Sequence, residues 1–381
     1  MDNRYKHPAP TYLRSGPAQY ANREGVLDEA GEYVAPWGDR ALISSGRNAL
    51  AATEERLLKS LARSGITWRE YLFTGECCPE NISKIKKQAE DFGGDVVIGV
   101  GGGKSLDTAK AAATELCIPA ICIPTIAATC AATTALSVIY DERGIFQKAL
   151  VLPNSPSLVL VDPGIIANAP DLYLRSGILD SISKWYEGRS LYQRIRNPSV
   201  QTCAAIRLAE VLYEGLRRHA LDAVRLISQR KVEDSLIQTL DLILYLTGLI
   251  QSLGRGTLLT GLAHCIHNGM TLLKESHRVL HGIKVGYGII VQLSVEKCPK
   301  QEFDEVVSFF RQLGLEPSLK ALNLPCGRHI VMRIAEKAAN DPDMGPLAYP
   351  VNKELIASAM EELERKFSFF ASNRELDTSC V

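Results

Sequence analysis

The sequence predicts an α/β protein in two parts, an N-terminal domain built on a parallel sheet (residues 1–162) and an all-α domain (residues 163–381). Three observations predict it. Short apolar runs alternate with amphipathic stretches in the first part. Several of these runs are nearly continuous in Val, Ile and Leu, as in strands covered on both faces. Long segments of helical periodicity replace them after Asp162.

Strands and helices of the first part alternate as a doubly wound sheet requires. We expect strands at 41–45, 70–74, 95–101, 118–124, 148–152 and 158–162. We expect helices between them at 51–64, 81–92 and 105–116. The pair Pro163-Gly164, which is typical of a turn, marks the boundary between the two parts. Further helices are expected at 200–218, 232–253, 301–313 and 353–370.

The composition is that of an ordinary globular protein, with 46% hydrophobic residues. Its 43 basic and 43 acidic residues balance, so no global field draws the chain to nucleic acid or to an anionic membrane. Ten cysteines without a C-x-x-C pattern indicate free thiols in a reducing compartment. The N-terminus is polar, unlike a secretory signal. No apolar run approaches the ~20 residues that a membrane span needs. We expect a cytoplasmic protein that binds neither nucleic acid nor membrane.

A glycine-rich turn, Gly101-Gly102-Gly103-Lys104, joins a buried strand to a helix that opens at Ser105. Glycines let backbone N–H groups approach a ligand with no Cβ in the way. The helix aims its free N–H groups and the positive end of its dipole at the same place. The pattern matches neither G-x-G-x-x-G nor the G-x-x-x-x-G-K-[ST] loop. Taken alone, it predicts either a dinucleotide phosphate site or a tight turn without a ligand.

Four of the seven histidines fall close together, at His264, His267, His277 and His281. The first two are spaced i,i+3 and the last two i,i+4, so either pair can share one face of a helix. Imidazoles concentrated in this way suggest metal ligation. The alternative for any one of them is a buried or capping histidine of the helical core.

A carboxylate from elsewhere in the chain would complete such a metal site. Asp180 stands between Leu179 and Ile182 on the apolar side of a predicted helix. Carboxylates are rare in such surroundings unless they are paired or bind a cation. Glu187 is the weaker candidate, because its neighbour Arg189 makes a surface position easy.

Five segments, taken in order, resemble the glycerol dehydrogenases of the group III, iron-containing alcohol dehydrogenase superfamily. They are GVGGGKSLDTAK (99–110), PTIAATCAATTALSVIYDERG (124–144), SGILDSISKWYEG (176–188), GLAHCIHNG (261–269) and HGIKVGYG (281–288). The resemblance covers essentially the whole chain. It implies a Rossmann-like domain followed by a helical domain, in the dehydroquinate synthase-like/glycerol dehydrogenase fold. It also implies NAD(P), a catalytic metal in the cleft between the domains, and a homo-oligomer.

The resemblance assigns roles to individual residues. The metal ligands, which are also the catalytic residues, fall on Asp180, His264 and His281, and His267 falls near substrate and nicotinamide. Cofactor contacts fall on Gly101, Gly102, Gly103, Lys104, Thr125, Thr134, Leu136 and Tyr140. Among divalent metals, zinc is favoured over Fe²⁺ by the order of affinities.

Two positions depart from the glycerol dehydrogenases that the chain resembles. Cys130 stands where relatives that oxidise glycerol carry an Asp that meets the polyol. A thiol accepts hydrogen bonds poorly by comparison, so we expect glycerol to be a poor substrate. Gly46, followed by Arg47, stands where NAD-specific relatives place an Asp for the ribose hydroxyls. The loss of that acid beside a cation permits a 2′-phosphate, with Arg47 as its contact.

The predicted function is that of a metal-dependent, NAD(P)-linked oxidoreductase that interconverts a small alcohol and its ketone or aldehyde. One Asp and two His leave an open coordination position, as a catalytic metal requires. Two alternatives remain open. A reductase of 2-oxo acids, or hydroxycarboxylate dehydrogenase, would gain from the loss of a negative charge at Cys130. An NAD-using cyclase or lyase related to dehydroquinate synthase would need a strongly basic pocket and, usually, Glu in place of Asp180. The complete three-residue set argues against a binding module without catalysis.

Overall fold

The computed structural model describes residues 14–254, 260–342, 344, 347 and 349–371. The outer limits of the two expected domains, residues 1 and 381, lie outside this part of the chain. The strands are β1 (Gln19–Asn22), β2 (Arg40–Ser45), β3 (Thr67–Leu72), β4 (Val96–Gly101), β5 (Ala120–Pro124), β6 (Leu136–Tyr140), β7 (Phe146–Val151) and β8 (Leu158–Val161). Six of them form one parallel sheet in the order β1-β8-β5-β4-β2-β3.

Helices connect these strands and make up the rest of the chain after β8. They are α1 (Ala30–Val34), α2 (Arg47–Arg63), α3 (Pro79–Phe92), α4 (Gly103–Leu116), α5 (Pro163–Ala167), α6 (Asp171–Tyr192), α7 (Val200–Ser228), α8 (Asp234–Leu240), α9 (Thr247–Leu253), α10 (Leu262–Met270), α11 (His281–Val295), α12 (Lys300–Gln312), α13 (Arg328–Ala339) and α14 (Lys353–Ala371). Two 3₁₀ helices (Val26–Glu29 and Lys274–Arg278) and a π-helical turn (Asp241–Leu246) complete the list. The expected combination of an α/β part and a helical part is confirmed.

The central strands of the sheet are buried on both faces, as their apolar runs predict. All six residues of β4 are buried. One face packs with Leu57 and Leu61 of α2. The other packs with Ile85 of α3 and Ala109 of α4. Helices on both faces explain why these strands lack a polar alternation.

One expected strand of the parallel sheet lies outside it. The segment expected at 148–152 is strand β7, and it pairs antiparallel with β6 in a separate two-stranded ribbon. The physical reason is local. Asp141 accepts hydrogen bonds from the backbone N–H groups of Arg143 and Ile145, which closes a short hairpin between the two strands. Antiparallel strands need only such a tight turn, whereas a parallel pair needs a long crossover.

The direction of the connections changes between β2 and β4. Strand β2 leads through α2 to β3 on one side, whereas β4 leads through α4 to β5 on the other. In an open α/β sheet, ligands bind at the carboxyl ends of the strands at such a switch point. Those ends are Gly46 after β2 and Gly101 at the end of β4. The fold therefore marks both segments as the edge of a binding crevice.

One helical segment of the described chain, Asp234–Leu253, is long and apolar enough to cross a membrane by length and composition. It consists of α8, the π-helical turn and α9. In the structure, 44% of its residues are buried, and Leu236, Leu240 and Ile243 belong to the main hydrophobic core. The core helix of a soluble protein passes the same test, so this feature is weak evidence for a membrane.

Candidate metal and dinucleotide site

Three helices bring Asp180, His264 and His281 to one place. Asp180 lies in the middle of α6, His264 in the first turn of α10, and His281 is the first residue of α11. Helices α6 and α11 approach closely at Gly282, where a Cβ would lie 1.8 Å from the backbone oxygen of Ser176. Only glycine fits there, and this contact places His281 against the acidic side chain of α6.

The three side chains converge on one carboxylate oxygen. His281 Nε2 lies 3.2 Å and His264 Nε2 lies 3.4 Å from Oδ1 of Asp180. One ligand atom from each residue lies within 4.8 Å of the other two, a grouping that could hold a metal ion. Burial alone would favour a neutral acid, but the two imidazoles lower the pKa of Asp180 well below its ordinary range. Asp180 is therefore anionic, as a ligand must be.

Glu187 fixes the orientation of His264. Its Oε2 lies 2.7 Å from His264 Nδ1, and its Oε1 accepts hydrogen bonds from the backbone N–H groups of Gly261 and His264. A carboxylate only accepts, so Nδ1 carries a proton, and Nε2, which faces Asp180, is the nitrogen at which a metal ion would replace a second proton. Burial opposes the imidazolium, but Glu187 and Asp180 outweigh it and raise the pKa of His264 to about 9.

The surface position expected for Glu187 is wrong, because its side chain is only 3% exposed. Helix α6 turns this residue inward, toward the start of α10. The charged neighbour Arg189 finds a partner of its own in Glu302, 2.6 Å away. No pattern in the sequence indicates that a buried carboxylate at this position binds two backbone N–H groups and an imidazole.

A chain of hydrogen bonds fixes the orientation of His281. Asn268 Nδ2 donates to Asp341 at 3.0 Å, so the other end of this amide is an acceptor. Asn268 Oδ1 lies 3.0 Å from His267 Nδ1, which therefore carries the proton. His267 Nε2 is then an acceptor, and it receives the Nδ1–H of His281 at 3.0 Å. With this tautomer, Nε2 of His281, which faces Asp180, is the nitrogen that would bind a metal ion.

His267 lies behind His281 and is only 3% exposed. Burial lowers its pKa well below the ordinary range, and the neighbouring His281 adds to this effect. The ring is neutral, and both of its nitrogens have partners within the protein. The fourth histidine of the cluster, His277, lies in the second 3₁₀ helix with its Nε2 3.4 Å from the backbone oxygen of Thr271. It is not part of the grouping of three ligands.

The glycine turn lies at the carboxyl end of β4, where the sheet changes direction. Gly101 has φ +139°, a conformation that other residues rarely adopt. Helix α4 begins at Gly103, so its first N–H groups face the crevice. Lys104 is largely exposed, and its Nζ lies 2.5 Å from Glu76 Oε1. The cation at this turn is therefore paired with a carboxylate from the segment between β3 and α3.

A buried ion pair on α4 holds the segment that follows β5. Lys110 Nζ lies 2.8 Å from Asp107 Oδ1, and both side chains are buried. The ammonium also donates to the backbone oxygens of Ala131, Thr134 and Leu136. Two residues expected to contact the cofactor, Thr134 and Leu136, are thus anchored to the helix that begins at the glycine turn.

The remaining expected cofactor residues border the same crevice. Thr125 follows β5 and donates its N–H to the backbone oxygen of Gly101 at 3.1 Å. Tyr140 ends β6. Arg47 is exposed as the first residue of α2. Gly46 precedes it, and a Cβ built on Gly46 would meet no heavy atom of the described residues within 4 Å.

Cys130 lies in the loop after β5, close to the three ligands. This loop contacts α6 where Gly177 leaves room for the backbone oxygen of Ala127. Burial raises the pKa of the Cys130 thiol to about 12, and the nearby charge of Asp180 adds to the shift. The thiol is therefore neutral, within electrostatic reach of Asp180.

These features are those of a class, the dinucleotide-dependent oxidoreductases, and they include one carboxylate and two histidines that could hold a metal ion. The family model described as iron-containing alcohol dehydrogenase matches residues 17–163. The chain belongs to the iron-containing alcohol dehydrogenase family, as a glycerol dehydrogenase-like member, and it is an alcohol dehydrogenase acting on a small molecule.

Three similar proteins illustrate this membership. Glycolaldehyde reductase from Halobacterium salinarum is 34% identical over 87% of this chain and 90% of its own length. Glycerol dehydrogenase from Pseudomonas putida is 34% identical over 81% of this chain and 84% of its own length. The crystal structure of glycerol dehydrogenase from Schizosaccharomyces pombe superimposes with a TM-score of 0.86 at 29% identity, covering 95% of this chain and 93% of that one.

Proposed function

We propose that this protein is a reductase of small aldehydes or ketones, reversible toward the alcohol, in which Asp180, His264 and His281 hold one divalent metal ion. The observation that carries this proposal is the convergence of two Nε2 atoms on one carboxylate oxygen. Both imidazoles would present an Nε2 lone pair to the ion, because their Nδ1 protons are donated elsewhere.

The donor set fits a catalytic divalent ion. Three protein ligands leave a further position open, which is the pattern of catalytic rather than structural sites. When bound, the ion supplies Lewis-acid polarisation of the substrate oxygen, and the nicotinamide supplies the redox chemistry. On the order of affinities we propose zinc rather than Fe²⁺.

The protein's own groups would bind the metal ion and orient the cofactor. Asp180 stays anionic, Glu187 holds one imidazole, and the chain that begins at Asp341 holds the other. The first N–H groups of α4 would receive the pyrophosphate. The segment anchored by Lys110 would then carry Thr134 and Leu136 to the nicotinamide half of the cofactor.

We propose NADPH as a cofactor that is used at least as well as NADH. Arg47 is exposed beside Gly46 at the switch point of the sheet, and the structure offers it no ion pair among the described residues. A guanidinium in that place suits a 2′-phosphate. Lys104 would exchange Glu76 for the cofactor's phosphates when the dinucleotide enters.

The remaining roles concern substrate and assembly. Cys130 would line the substrate side of the metal, as a neutral wall in place of an acid. His267, with both nitrogens engaged, would position His281 rather than touch substrate. We further propose a cytoplasmic homo-oligomer without nucleic acid or membrane partners, divided into domains at Asp162 and Pro163.

Steady-state reduction of glycolaldehyde and of simple ketones tests the function. The zinc-loaded and iron-loaded proteins are assayed with NADPH and with NADH. We expect stoichiometric consumption of the reduced cofactor and slow reaction with glycerol in the reverse direction. Because NAD-using cyclases and lyases regenerate their cofactor, product formation without net cofactor consumption would contradict the proposal.

A further inference from the structure

Lys184 is a buried ammonium without a partner beside the metal ligands. It is only 8% exposed. Its ammonium makes no hydrogen bond or ion pair with any residue in the part of the chain that the structure describes. The nitrogen itself is not sealed from solvent, because it is absent from the fully buried polar atoms without partners. Burying an ammonium without compensation is costly, so natural proteins keep such groups for a reason.

The helix points Lys184 at the site. Asp180, Lys184 and Glu187 are spaced i, i+4 and i+7 on α6, so they share one face. One turn, about 6 Å along the axis, separates Lys184 from Asp180. The charge of Lys184 reaches both Cys130 and His264. It opposes the burial that raises the pKa of the thiol, and it adds to the burial that lowers the pKa of the imidazole. The ammonium is therefore within electrostatic reach of the thiol and of one of the three proposed ligands.

The balance of charges leaves this ammonium for a ligand. Asp180 and Glu187 are both anionic, and a bound divalent ion would compensate them. Cys130, which stands where relatives that oxidise glycerol carry an Asp, is neutral. With the metal in place, Lys184 would remain a positive charge beside the pocket that has no ion pair among the described residues.

We propose that Lys184 binds the carboxylate of the substrate, which makes 2-oxo acids and 2-hydroxy acids the preferred substrate class. This inference rests on the proposed function. Asp180, His264 and His281 would hold the ion that polarises the carbonyl oxygen, and the carboxylate would extend past Cys130 to the ammonium one helical turn away. The reaction is then the reduction of the 2-oxo carbonyl to a hydroxyl by NAD(P)H, with one proton taken up from solvent.

Two matched substrates test this assignment. 2-Oxobutanoate and 1-hydroxy-2-butanone differ only in a carboxylate replaced by a hydroxymethyl group. We expect wild-type kcat/KM to be at least tenfold higher for 2-oxobutanoate. Lys184→Met should lower it about 10- to 100-fold for this substrate, as for the loss of a charged hydrogen bond. Most of the loss should appear in KM, because the carboxylate contact is present before and during the reaction. The kcat/KM of Lys184→Met for the hydroxyketone should stay within threefold of the wild-type value.

Stability provides a second readout. Because Lys184 has no partner among the described residues, Lys184→Met should leave the thermal midpoint at or above that of the wild type. Lys148→Met, which removes an exposed charge on β7, is the matched control and should leave kcat/KM unchanged for both substrates. An equal loss on both substrates, or a lower thermal midpoint, would overturn the role of Lys184 while the reductase activity stands. No turnover of either substrate by the wild type would overturn the proposed function and this assignment together.

Discussion

His267 accepts the Nδ1–H of His281 at 3.0 Å, and its own proton goes to Asn268. The orientation of a metal ligand is thus set two side chains away from it. Partners behind a ligating histidine commonly change metal affinity 10- to 100-fold when they are removed. The arrangement would make Asn268 a positioning residue for the proposed metal ion, which it would not touch.

Asn268→Leu should therefore weaken metal binding about 10- to 100-fold. Leucine has a similar shape but cannot accept the His267 proton, so both imidazoles lose their defined tautomer. Competition with a chromophoric chelator measures the affinity directly. Asn340→Leu, at an exposed position nearby, is the control and should bind metal as the wild type does. Unchanged affinity in Asn268→Leu would show that the chain does not orient His281.

Gly46→Asp should reverse the choice of cofactor. Gly46 has φ −73° and ψ 156°, which any residue adopts, and a Cβ there meets no described heavy atom within 4 Å. The new carboxylate would accept from the ribose hydroxyls of NADH and repel a 2′-phosphate. We expect KM for NADPH to rise at least tenfold, with KM for NADH unchanged or lower.

Gly46→Asn, of equal size and without charge, separates repulsion from bulk in that experiment. Arg47→Ala should weaken the binding of NADPH and not that of NADH, because NADH has no 2′-phosphate for the guanidinium to contact. If the wild type uses only NADH, or if Arg47→Ala affects both cofactors equally, Arg47 does not meet a 2′-phosphate.

Cys130→Asp should shift substrate preference toward diols and triols. A carboxylate there accepts hydrogen bonds from a polyol, and a site that pairs a hydroxyl discriminates strongly against substrates that lack it. It would also neutralise Lys184 and so penalise 2-oxo acids. The ratio of kcat/KM for 1,2-propanediol and 2-hydroxybutanoate measures the shift, and Cys130→Ser is the uncharged control. An unchanged ratio would mean that Cys130 only packs.

Lys110→Met should destabilise the fold and loosen the cofactor loop. It leaves Asp107 as a buried charge without its partner, a change that costs about 3–5 kcal/mol in free energy of unfolding. Urea unfolding measures this cost. Lys59→Met removes an exposed i,i+4 pair with Glu55 and should have little effect. Similar midpoints for the two variants would contradict the structural role of Lys110.

The sequence predicted the features that rest on local patterning. Apolar strand runs and the glycine turn led to the parallel sheet and the start of α4, and buried polarity singled out Asp180. Strand β1, a four-residue edge strand with the polar ends Gln19 and Asn22, gave no such signal. The partner of β7 was also missed, because strand pairing depends on a hairpin turn rather than on composition.

The groups that orient the proposed metal ligands could not be predicted from the sequence, for a related reason. Asp341 is separated by 73 residues from Asn268, and Glu187 by 77 from His264. Neither pair has a spacing that a single helix or turn would produce. Only the packing of α6, α10 and α13 brings these residues together, and their roles follow from which atoms accept and which donate.

Metal content and turnover of His281→Ala test the central claim most directly. The wild type and the variant are stripped with a chelator, reloaded with zinc or Fe²⁺, and assayed for bound metal, NADPH binding and carbonyl reduction. We predict one metal per wild-type chain, with activity lost on stripping and restored on reloading. His281→Ala should lose both metal and turnover but still bind NADPH. Full turnover by rigorously metal-free wild type, or by metal-free His281→Ala, would contradict the account.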